Sequence, residues 1–386
     1  MQTPSRLAAL GILLLTLSAS SCRCQGLGPT KASEGSGATV SPGERMPIID
    51  SHVHIVPTRA AITMALRIFE KVGVTKFAVK SAGVPGELRY EATRQMAREL
   101  GARMAFFSNI DWDGIDDPGW GQREADRLEQ AMREGASGIK IFKALGLGVR
   151  LANGKLMRVD DPKMEPIWER AAKTKAIVAW HVADPVAFFK PVDKNNERYY
   201  ELSLAPEWSF YGKDYPSYEE LMKERDEVVT RHPKTTFLGI HLASYPEDLD
   251  AAGKMLDRCP NMFVDIAARV PEIGRHPPDK VRAFFIKYQD RILFGTDIIV
   301  TPQSMQLGSV SEKPPTFEDA VRFYEIHRRF LETADRNFDH PTPSQGQWKI
   351  SGIHLPRAVL QKIYVDNAER LIFVPRKAWL DTHPGE

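Results

Sequence analysis

The chain has 386 residues, of which 42% are hydrophobic and 26% are charged, a composition typical of a folded globular protein. Its 52 basic and 50 acidic residues give a net charge of +2, so the chain lacks the electrostatic footprint of a nucleic-acid-binding protein. Runs of Lys and Arg and zinc-finger spacings are also missing from the sequence. Composition and charge therefore argue against a nucleic-acid partner.

The first 21 residues are typical of an export signal. Arg6 is followed by an apolar run over 7–17, too short to span a bilayer, and then by small residues that lead to Cys22. This pattern resembles the bacterial lipoprotein signal, in which cleavage precedes a lipidated cysteine, although Ala19 stands where leucine is usual. An ordinary secretory signal is the alternative. We expect an exported protein, either anchored to the cell envelope at Cys22 or free in the periplasm or medium.

The remaining chain divides into three parts. Residues 22–45 are rich in Gly, Ser, Pro and Thr without apolar periodicity, which predicts a flexible linker. Residues 46–375 form the expected folded domain, and residues 376–386 a C-terminal tail. Because Cys259 is the only cysteine of the domain, a disulfide within it is excluded, and its core alone must stabilise it.

From residue 46 onward, short apolar runs alternate with longer amphipathic stretches, which indicates βαβ units around a parallel sheet. The predicted strands are 47–54, 75–80, 104–110, 138–142, 176–181, 236–241, 262–266 and 292–297. Predicted helices include 90–100, 122–133 and 246–256. This alternation favours a distorted (β/α)₈ TIM barrel. A doubly wound open sheet is the alternative, but no Gly-rich phosphate loop follows the first strand.

Histidines and an aspartate stand where predicted strands end. His52 and His54 lie two residues apart on the first strand, so both imidazoles face the same side. Strand five ends at His181, strand six at His241 and strand eight at Asp297. One such residue alone is more often structural than functional, but the catalytic residues of a barrel lie at the carboxyl ends of its strands. The ordered set predicts a transition-metal site.

The chain resembles the amidohydrolase superfamily, in the branch called amidohydrolase-related or amidohydrolase-2, over about residues 47–373. The resemblance rests on the strand-end histidines and on the motifs IDSHVH at 49–54, FGTD at 294–297 and NAERL at 367–371. Members of this branch are metal-dependent hydrolases, lactonases or non-oxidative decarboxylases on distorted (β/α)₈ barrels. We interpret Asn367 and Ala368 of the last motif as helix-packing or capping residues.

The resemblance implies that His52, His54, His181 and Asp297 hold one divalent metal. Three imidazoles and a carboxylate suit Zn²⁺, with Mn²⁺ or Fe²⁺ as alternatives. A bound metal lowers the pKa of water from 15.7 to about 7. The resemblance also implies that Asp297 is catalytic in proton transfer, and that His241 contacts the substrate or this water and stabilises the developing oxyanion.

Strand four carries two lysines, Lys140 and Lys143, where burial makes a charge costly unless it is used. Some branches of the superfamily carboxylate a lysine of strand four, which then bridges two metals. The alternative is that Lys140 pairs with a carboxylate near the barrel mouth while Lys143 is a loop residue. We expect a single metal, and the choice between the two lysines stays open.

Two insertions rich in aromatic residues, 184–217 and 301–352, follow strands five and eight and are predicted to lie on the catalytic face. The second one contains a predicted helix at 317–333. The insertions form either a lid and substrate wall, or a subdomain or subunit interface. Long aromatic loops also lead us to expect a homodimer.

The main functional hypothesis is an exported metal-dependent hydrolase that cleaves an amide, ester or lactone bond of a small organic substrate. A second hypothesis is a metal-dependent non-oxidative decarboxylase of an aromatic or unsaturated carboxylic acid, in which Arg269 or Arg150 binds the substrate carboxylate. A third is a non-catalytic, surface-tethered binding protein on the same scaffold. The metal ligands are all present in the sequence, which argues against the third hypothesis.

Overall fold

A computed structural model describes residues 45–382. The predicted export signal, Cys22 and nearly all of the predicted linker lie outside the described residues. Within the described part, no helix has the length and apolar character needed to cross a membrane. Cys259 is buried and carries a free thiol.

The main sheet has ten strands, and its first eight pair in parallel in chain order. Their bounds are β1 Ile48–Ile55, β2 Val74–Val79, β3 Met104–Ser108, β4 Gly138–Ile141, β5 Ile177–Trp180, β6 Thr236–Gly239, β7 Met262–Asp265 and β8 Ile292–Leu293. β9 (Ile298–Val300) pairs in parallel with β1, and β10 (Met305–Leu307) pairs antiparallel with β9. A separate hairpin contains β11 (Phe338–Asp339) and β12 (Lys349–Ile350). The predicted α/β organisation is confirmed.

The sheet is curled, and the eighth predicted strand forms hydrogen bonds with both β7 and β1. Residues 292–297 are not one strand, because β8 bonds to β7 whereas β9 bonds to β1. The interruption occurs because the Thr296 N–H donates to Asp50 Oδ1 at 3.2 Å instead of to a neighbouring strand. Around it, the Ser51 N–H donates to Phe294 O at 3.0 Å and the Asp297 N–H to His52 O at 2.9 Å. This curled sheet is consistent with a TIM barrel.

Amphipathic helices cover the outside of the sheet. The longer ones are Arg59–Val72, Leu88–Leu100, Trp120–Arg133, Glu165–Thr174, Tyr218–Arg231, Leu249–Arg258, Pro278–Lys287, Phe317–Glu332 and Val374–Thr382. Shorter helical pieces are Gly101–Arg103, Ala144–Leu147, Pro162–Met164, Val186–Phe189, Tyr199–Leu204, Pro206–Trp208, Ile240–Ala243, Val270–Gly274, Pro343–Gln345, Arg357–Gln361, Lys362–Asp366 and Glu369–Phe373. Reciprocal side-chain caps begin two of them, with Ser217 and Glu220 at Tyr218–Arg231 and Thr316 and Asp319 at Phe317–Glu332.

A small apolar cluster fills one face of the curled sheet. It takes alternate residues from several strands, such as Ile177 and Ala179 of β5, together with Leu293 of β8. Side chains of the C-terminal helical run, including Ile372 and Phe373, pack against it. Asn367 ties that run to the sheet, because its Nδ2 donates to Gln289 O and to Ile292 O, both at 2.7 Å.

The residues predicted as a C-terminal tail continue this helical run within the described part. Arg376, in the helix Val374–Thr382, is buried and donates to Gly135 O at 2.5 Å. The Trp379 indole N–H donates to Arg133 O at 3.0 Å. These contacts attach the segment up to residue 382 to the helix Trp120–Arg133 and the loop after it.

His327 couples the packing of the core to pH. Its ring lies between Phe294 and Phe323, with centroid distances of 5.9 and 4.6 Å, and Nδ1 donates to Phe323 O at 2.7 Å. Burial lowers the pKa of this imidazole from 6.5 to about 4. The unfolded chain therefore binds a proton at His327 more readily than the folded chain does. As a result, the stability of the fold that neutral His327 provides above pH 6.5 is lost as the pH falls towards 4.

Between pH 7 and pH 5 the free energy of unfolding falls in the wild type partly because His327 is buried in its neutral form. We predict that this fall is about 2 kcal/mol smaller in His327→Phe. Urea unfolding at each pH, with a chelator present to remove metal effects, measures this difference. The phenylalanine keeps the ring contacts but cannot be protonated, and any loss from the Nδ1 hydrogen bond is the same at both pH values. Stability curves that run parallel would contradict the prediction.

Candidate metal centre

Three donor atoms converge near the carboxyl end of β1. His52 Nε2 and His54 Nε2 lie 3.2 Å apart, as the two-residue spacing on a strand predicts. Asp297 Oδ1 lies 3.3 Å from His52 Nε2 and 3.2 Å from His54 Nε2. Asp297 reaches this position through a left-handed backbone conformation with φ of 63°, which costs about 1–2 kcal/mol in a non-glycine residue. Strain of this kind is common at functional sites.

The protonation states of Asp297 and His52 at neutral pH are those that metal ligands require. Burial alone would raise the pKa of the Asp297 carboxyl, but the facing His52 and His54 imidazoles outweigh it, and the pKa falls to about 2. Burial is also the main reason that the pKa of His52 lies well below 6.5. At pH 7 the carboxylate is therefore ionised and His52 is neutral, so protons do not compete with a cation there.

Asp265, the last residue of β7, orients His52. Its Oδ2 lies 2.8 Å from His52 Nδ1, and its Oδ1 accepts the backbone N–H groups of His241 at 2.8 Å and Ala267 at 3.3 Å. Because a carboxylate only accepts, the proton of the neutral His52 ring resides on Nδ1 and the lone pair on Nε2. The sequence interpretation missed Asp265, although a polar residue that ends an apolar strand at 262–266 was the available signal.

His241 lies on the other side of the same carboxylate. Its Nε2 is 4.0 Å from Asp297 Oδ2, and its ring stacks on that of His52 with centroids 5.5 Å apart. Nδ1 donates to Ala267 O at 2.7 Å, since a carbonyl only accepts, and this leaves the lone pair on Nε2. Burial lowers the pKa of His241 well below 6.5, so the ring is neutral at pH 7.

The backbone after β6 is strained as it presents His241. The residues His241, Leu242, Ala243 and Ser244 have φ values of 60°, 55°, 51° and 59°. A run of non-glycine residues in the left-handed region is costly, and it persists only where surrounding contacts hold it. Here the His241 N–H donates to Asp265, and the Ser244 hydroxyl donates to Val182 O in the loop after β5.

His181 stands beside this group, but its Nε2 points elsewhere. Its ring packs edge-on against His241, with centroids 4.4 Å apart. The His181 Nε2 is buried without a hydrogen-bond partner and lies 3.6 Å from Asp184 Oδ1. Burial is the main cause that lowers the pKa of His181 to about 4. The structure therefore brings His52, His54 and Asp297 together, with His241 and His181 next to them in that order.

Three lysines, Lys80, Lys140 and Lys143, lie on or just after the strands β2 and β4. Lys140 of β4 is buried, which lowers the pKa of its amine to about 8, while Asp265 and Asp297 act in the opposite direction. Lys80, which the sequence interpretation missed, follows β2 and places Nζ 3.2 Å from the centroid of the Phe107 ring. Lys143 donates to Asp184 Oδ2 at 2.5 Å. The two lysines thus differ in setting, because Lys140 is buried in β4 whereas Lys143 lies after the strand and pairs with Asp184.

Asp50 supports the turn that carries Asp297. Its Oδ2 accepts the Thr296 hydroxyl at 2.6 Å and the Tyr324 hydroxyl at 2.7 Å. Its Oδ1 accepts the N–H groups of His52 at 3.1 Å and Thr296 at 3.2 Å. Burial raises the pKa of this carboxyl to about 7. Asp50, the second residue of the IDSHVH motif, therefore accepts hydrogen bonds from the segment that links β8 and β9.

The two arginines considered for substrate binding have different settings. Arg269 is 6% exposed, follows β7 and donates to Ala268 O at 3.0 Å. The neighbouring carbonyl of Ala267 holds His241, so Arg269 lies close to the histidine cluster. Arg150 is exposed in a hairpin and donates to Gly154 O at 2.8 Å. Their roles as substrate-binding residues stay predictions.

The two predicted insertions are joined by a buried polar network. Arg198 of the first insertion bonds to Glu201 at 2.7 Å and to Glu272, which lies after β7. Glu201 also accepts the hydroxyl of Ser309, in the second insertion. The Trp348 indole N–H of the second insertion donates to Pro271 O at 2.8 Å. The insertions therefore pack against each other and against the segment that carries Arg269.

The donor set fits a divalent transition metal. Among the described residues, His52, His54 and Asp297 form a group whose ligand atoms lie within reach of a single ion. The His52 nitrogen has its lone pair available, and the carboxylate is ionised. Imidazole and carboxylate ligands together suit Zn²⁺, Mn²⁺ and Fe²⁺. His52, His241 and Asp265 form a second such group, but there Asp265 already accepts His52 Nδ1.

Residues 49–374 match the family model described as amidohydrolase, and the chain belongs to this family. The match confirms the resemblance inferred from the sequence motifs. Membership implies an enzyme that acts on a small-molecule substrate, in a family whose members typically bind a divalent metal. No curated protein matches the chain.

The solved structures to which the chain is similar are distant in sequence. A 2,6-dihydroxybenzoate decarboxylase from Rhizobium is 14% identical, with 86% of this chain and 99% of that chain covered and a TM-score of 0.47. An amidohydrolase from Burkholderia multivorans with bound zinc is 12% identical, with 85% and 99% covered and a TM-score of 0.45. A D-hydantoinase from Thermus sp. is 16% identical, with 84% and 70% covered and a TM-score of 0.47.

We predict that Asp265→Asn weakens Zn²⁺ binding by about 10–100-fold, the usual effect of losing a carboxylate behind a histidine ligand. The amide can still accept from the His241 N–H, but its NH₂ group faces His52 Nδ1 and drives the imidazole proton to Nε2. Competition with a chromophoric chelator measures the affinity. Asp257→Asn, an exposed aspartate paired with Lys287, is the matched control and should bind Zn²⁺ as the wild type does. Equal affinities of the two variants would contradict the assigned role.

Proposed function

We propose that the chain is a metal-dependent hydrolase that cleaves an amide, ester or lactone bond of a small organic molecule. The observation that carries this proposal is the convergence of His52 Nε2, His54 Nε2 and Asp297 Oδ1, with all three pairs separated by 3.2–3.3 Å. The proposal includes a closed, distorted (β/α)₈ barrel, in which β8 and β9 are two parts of one interrupted strand. The hydrogen bonds that join this strand to β1 support closure.

His52, His54 and Asp297 would hold one divalent metal, with Zn²⁺ as the first choice, and His181 would complete the set. When bound, such a metal polarises a carbonyl oxygen and lowers the pKa of water towards neutrality. The protein's own contribution is to keep the His52 imidazole neutral through burial and the Asp297 carboxylate ionised through its contacts with the histidines. Asp265 fixes the tautomer of His52, so its lone pair is directed at the cluster.

Asp297 and His241 are the proposed proton-transfer residues. Asp297 contacts both β1 histidines through Oδ1, whereas its Oδ2 faces His241 at 4.0 Å. Oδ2 can therefore accept a proton from the attacking water and return it to the leaving group. His241 is neutral with its proton on Nδ1, so its Nε2 acts first as an acceptor that orients water or substrate. It can stabilise an oxyanion as a donor only after it has taken up a proton.

Non-oxidative decarboxylation of an aromatic or unsaturated acid is the second candidate function, and Arg269 favours it. This guanidinium is nearly buried and donates to the carbonyl of Ala268, and within residues 45–382 no carboxylate lies within 4 Å of it. A buried cation is costly unless it is used. A substrate carboxylate is the partner that guanidinium geometry suits best. The hydrolase and the decarboxylase would use the same metal ligands.

The setting of the enzyme is proposed from the sequence of residues 1–45. We infer export by the N-terminal signal and attachment to the cell envelope through a lipidated Cys22, with residues 22–45 as the linker. Exposed side chains of the first insertion, including Tyr199, Tyr200 and Tyr211, support the expectation of a homodimer.

Metal analysis tests the metalloenzyme proposal directly. Protein purified without chelator should contain about one equivalent of Zn, Mn or Fe, and His54→Ala should contain almost none, because one of three convergent donors is lost. His354→Ala removes an exposed histidine distant in sequence from the motif and should retain the metal of the wild type. A wild-type protein that stays metal-free after incubation with Zn²⁺, Mn²⁺ and Fe²⁺ would favour the non-catalytic binding protein instead.

Product analysis then separates the two enzymatic functions. We predict that metal-loaded protein, screened against lactones, amides, esters and aromatic acids, forms a new carboxylate without CO₂. Release of CO₂ from an aromatic acid would instead establish the decarboxylase. Arg269→Met should lower kcat/KM for an anionic substrate by about 10–100-fold, through loss of charged hydrogen bonds, with little effect on a neutral lactone. Equal effects on both substrate classes would contradict a carboxylate-binding role.

A further inference from the structure

The loop after β5 places a buried carboxylate next to His181. Asp184 follows His181 by three residues, and the left-handed Ala183, with φ of 60°, turns the backbone between them. The Asp184 side chain is 5% exposed, and its Oδ1 lies 3.6 Å from His181 Nε2. Its Oδ2 accepts the Lys143 ammonium at 2.5 Å. Asp184 therefore stands between an ammonium from the loop after β4 and an imidazole from the end of β5.

His52 and His241 provide a comparison for the role of the Asp184 carboxylate. In His52 and in His241, one ring nitrogen donates to a protein oxygen, which leaves the other nitrogen with the lone pair. The Oδ1 of Asp184 faces His181 Nε2 at 3.6 Å, which is longer than a hydrogen bond. The buried Nε2 has no hydrogen-bond partner among the described residues. A carboxylate next to this nitrogen favours the tautomer with the proton on Nε2 and the lone pair on Nδ1.

We propose that Asp184 is a positioning residue that selects the tautomer and orientation of His181, and that Lys143 holds Asp184 in place for this purpose. The inference rests on the proposed function, because it takes His181 to serve the metal centre. The proposal assigns different tasks to the two lysines. Lys143 acts through Asp184 on His181, whereas Lys140 is a buried side chain of β4.

The same ion pair links the first insertion to the metal centre. Asp184 is the first residue of the insertion 184–217, and Lys143 Nζ lies 5.2 Å from the centroid of the Trp208 ring within it. Trp208 in turn stacks on Phe188, with centroids 6.1 Å apart. The Ser244 hydroxyl fixes the start of the loop by donating to Val182 O. A displacement of the insertion would therefore be transmitted to His181 through Asp184.

Zn²⁺ affinity and the visible spectrum of the Co²⁺-substituted protein test this inference, with four variants and no need for a substrate. Asp184→Asn should weaken Zn²⁺ binding by about 10–100-fold, since its amide can donate to Nε2 and reverse the tautomer. Asp184→Glu keeps the carboxylate and should recover most of the affinity. Lys143→Met should shift the Co²⁺ spectrum and weaken Zn²⁺ binding less than Asp184→Asn does. Lys76→Met removes another lysine–carboxylate pair, with Glu369, and is the control, because the two lysines are similarly exposed at 28% and 32%.

The outcomes separate this inference from the proposed function. If the wild type binds Zn²⁺ and Asp184→Asn binds it within twofold with an unchanged Co²⁺ spectrum, the positioning role is wrong while the metal centre stands. If the wild type itself binds no Zn²⁺, the proposed function fails and this inference fails with it. Circular dichroism establishes that each variant is folded. Should Asp184→Asn not fold, Lys143→Met decides, because a Zn²⁺ affinity and a Co²⁺ spectrum equal to those of the wild type would overturn the proposal.

Discussion

The hydrogen bonds between β1 and the interrupted strand opposite it determine the geometry of the metal centre. The Ser51 N–H donates to Phe294 O, and the Asp297 N–H donates to His52 O, so the two segments keep one register. Between these bonds the backbone leaves the ladder, and Asp50 accepts the Thr296 N–H and hydroxyl in its place. That departure allows Asp297 to adopt its left-handed conformation and to face His52 and His54. A regular strand at this position would place the carboxylate differently with respect to the two imidazoles.

The electrostatics of the site follow from this arrangement. Two imidazoles and one carboxylate share a small, mostly buried volume. In it, the histidines stabilise the ionised form of the Asp297 carboxyl, and burial disfavours the charged form of His52. The result is an ionised Asp297 beside a neutral His52. Asp265 extends the arrangement outward, because one carboxylate accepts both the His52 ring N–H and the His241 backbone N–H. The orientation of two site histidines from different strands thus depends on a single aspartate.

Local sequence rules account for part of this centre. The period of two on a strand predicts that His52 and His54 face one space, and the strand-end position of Asp297 predicts its approach. The split of residues 292–300 could not be predicted, because the apolar residues on both sides of Gly295–Asp297 fit one strand and the partner that interrupts the ladder, Asp50, is distant in sequence. Asp265 escaped notice for a related reason. A lone acidic residue at the end of an apolar strand is only a weak local signal, and its role depends on His52, 213 positions away.

His181 shows a different limit. Its strand and its side of the strand follow from alternation, but the direction in which its ring nitrogens point depends on χ angles and on the loop that follows. That loop is strained at Ala183 and held by contacts to Lys143 and Ser244, which lie in other βα loops. Positions on strands are therefore predictable from periodicity, whereas the orientation of side chains at the strand ends is decided by the loops.

The donor set alone leaves the reaction open. Imidazole and carboxylate ligands serve any reaction that needs a divalent metal next to a carbonyl or a carboxylate. The discriminating groups are those that meet the rest of the substrate. Arg269 is a nearly buried cation in a segment that the insertions clamp through Glu272 and Trp348. If the substrate bears an anion, the Arg269 guanidinium sets the position of the substrate relative to His241. This holds both for hydrolysis of a bond and for loss of a carboxylate.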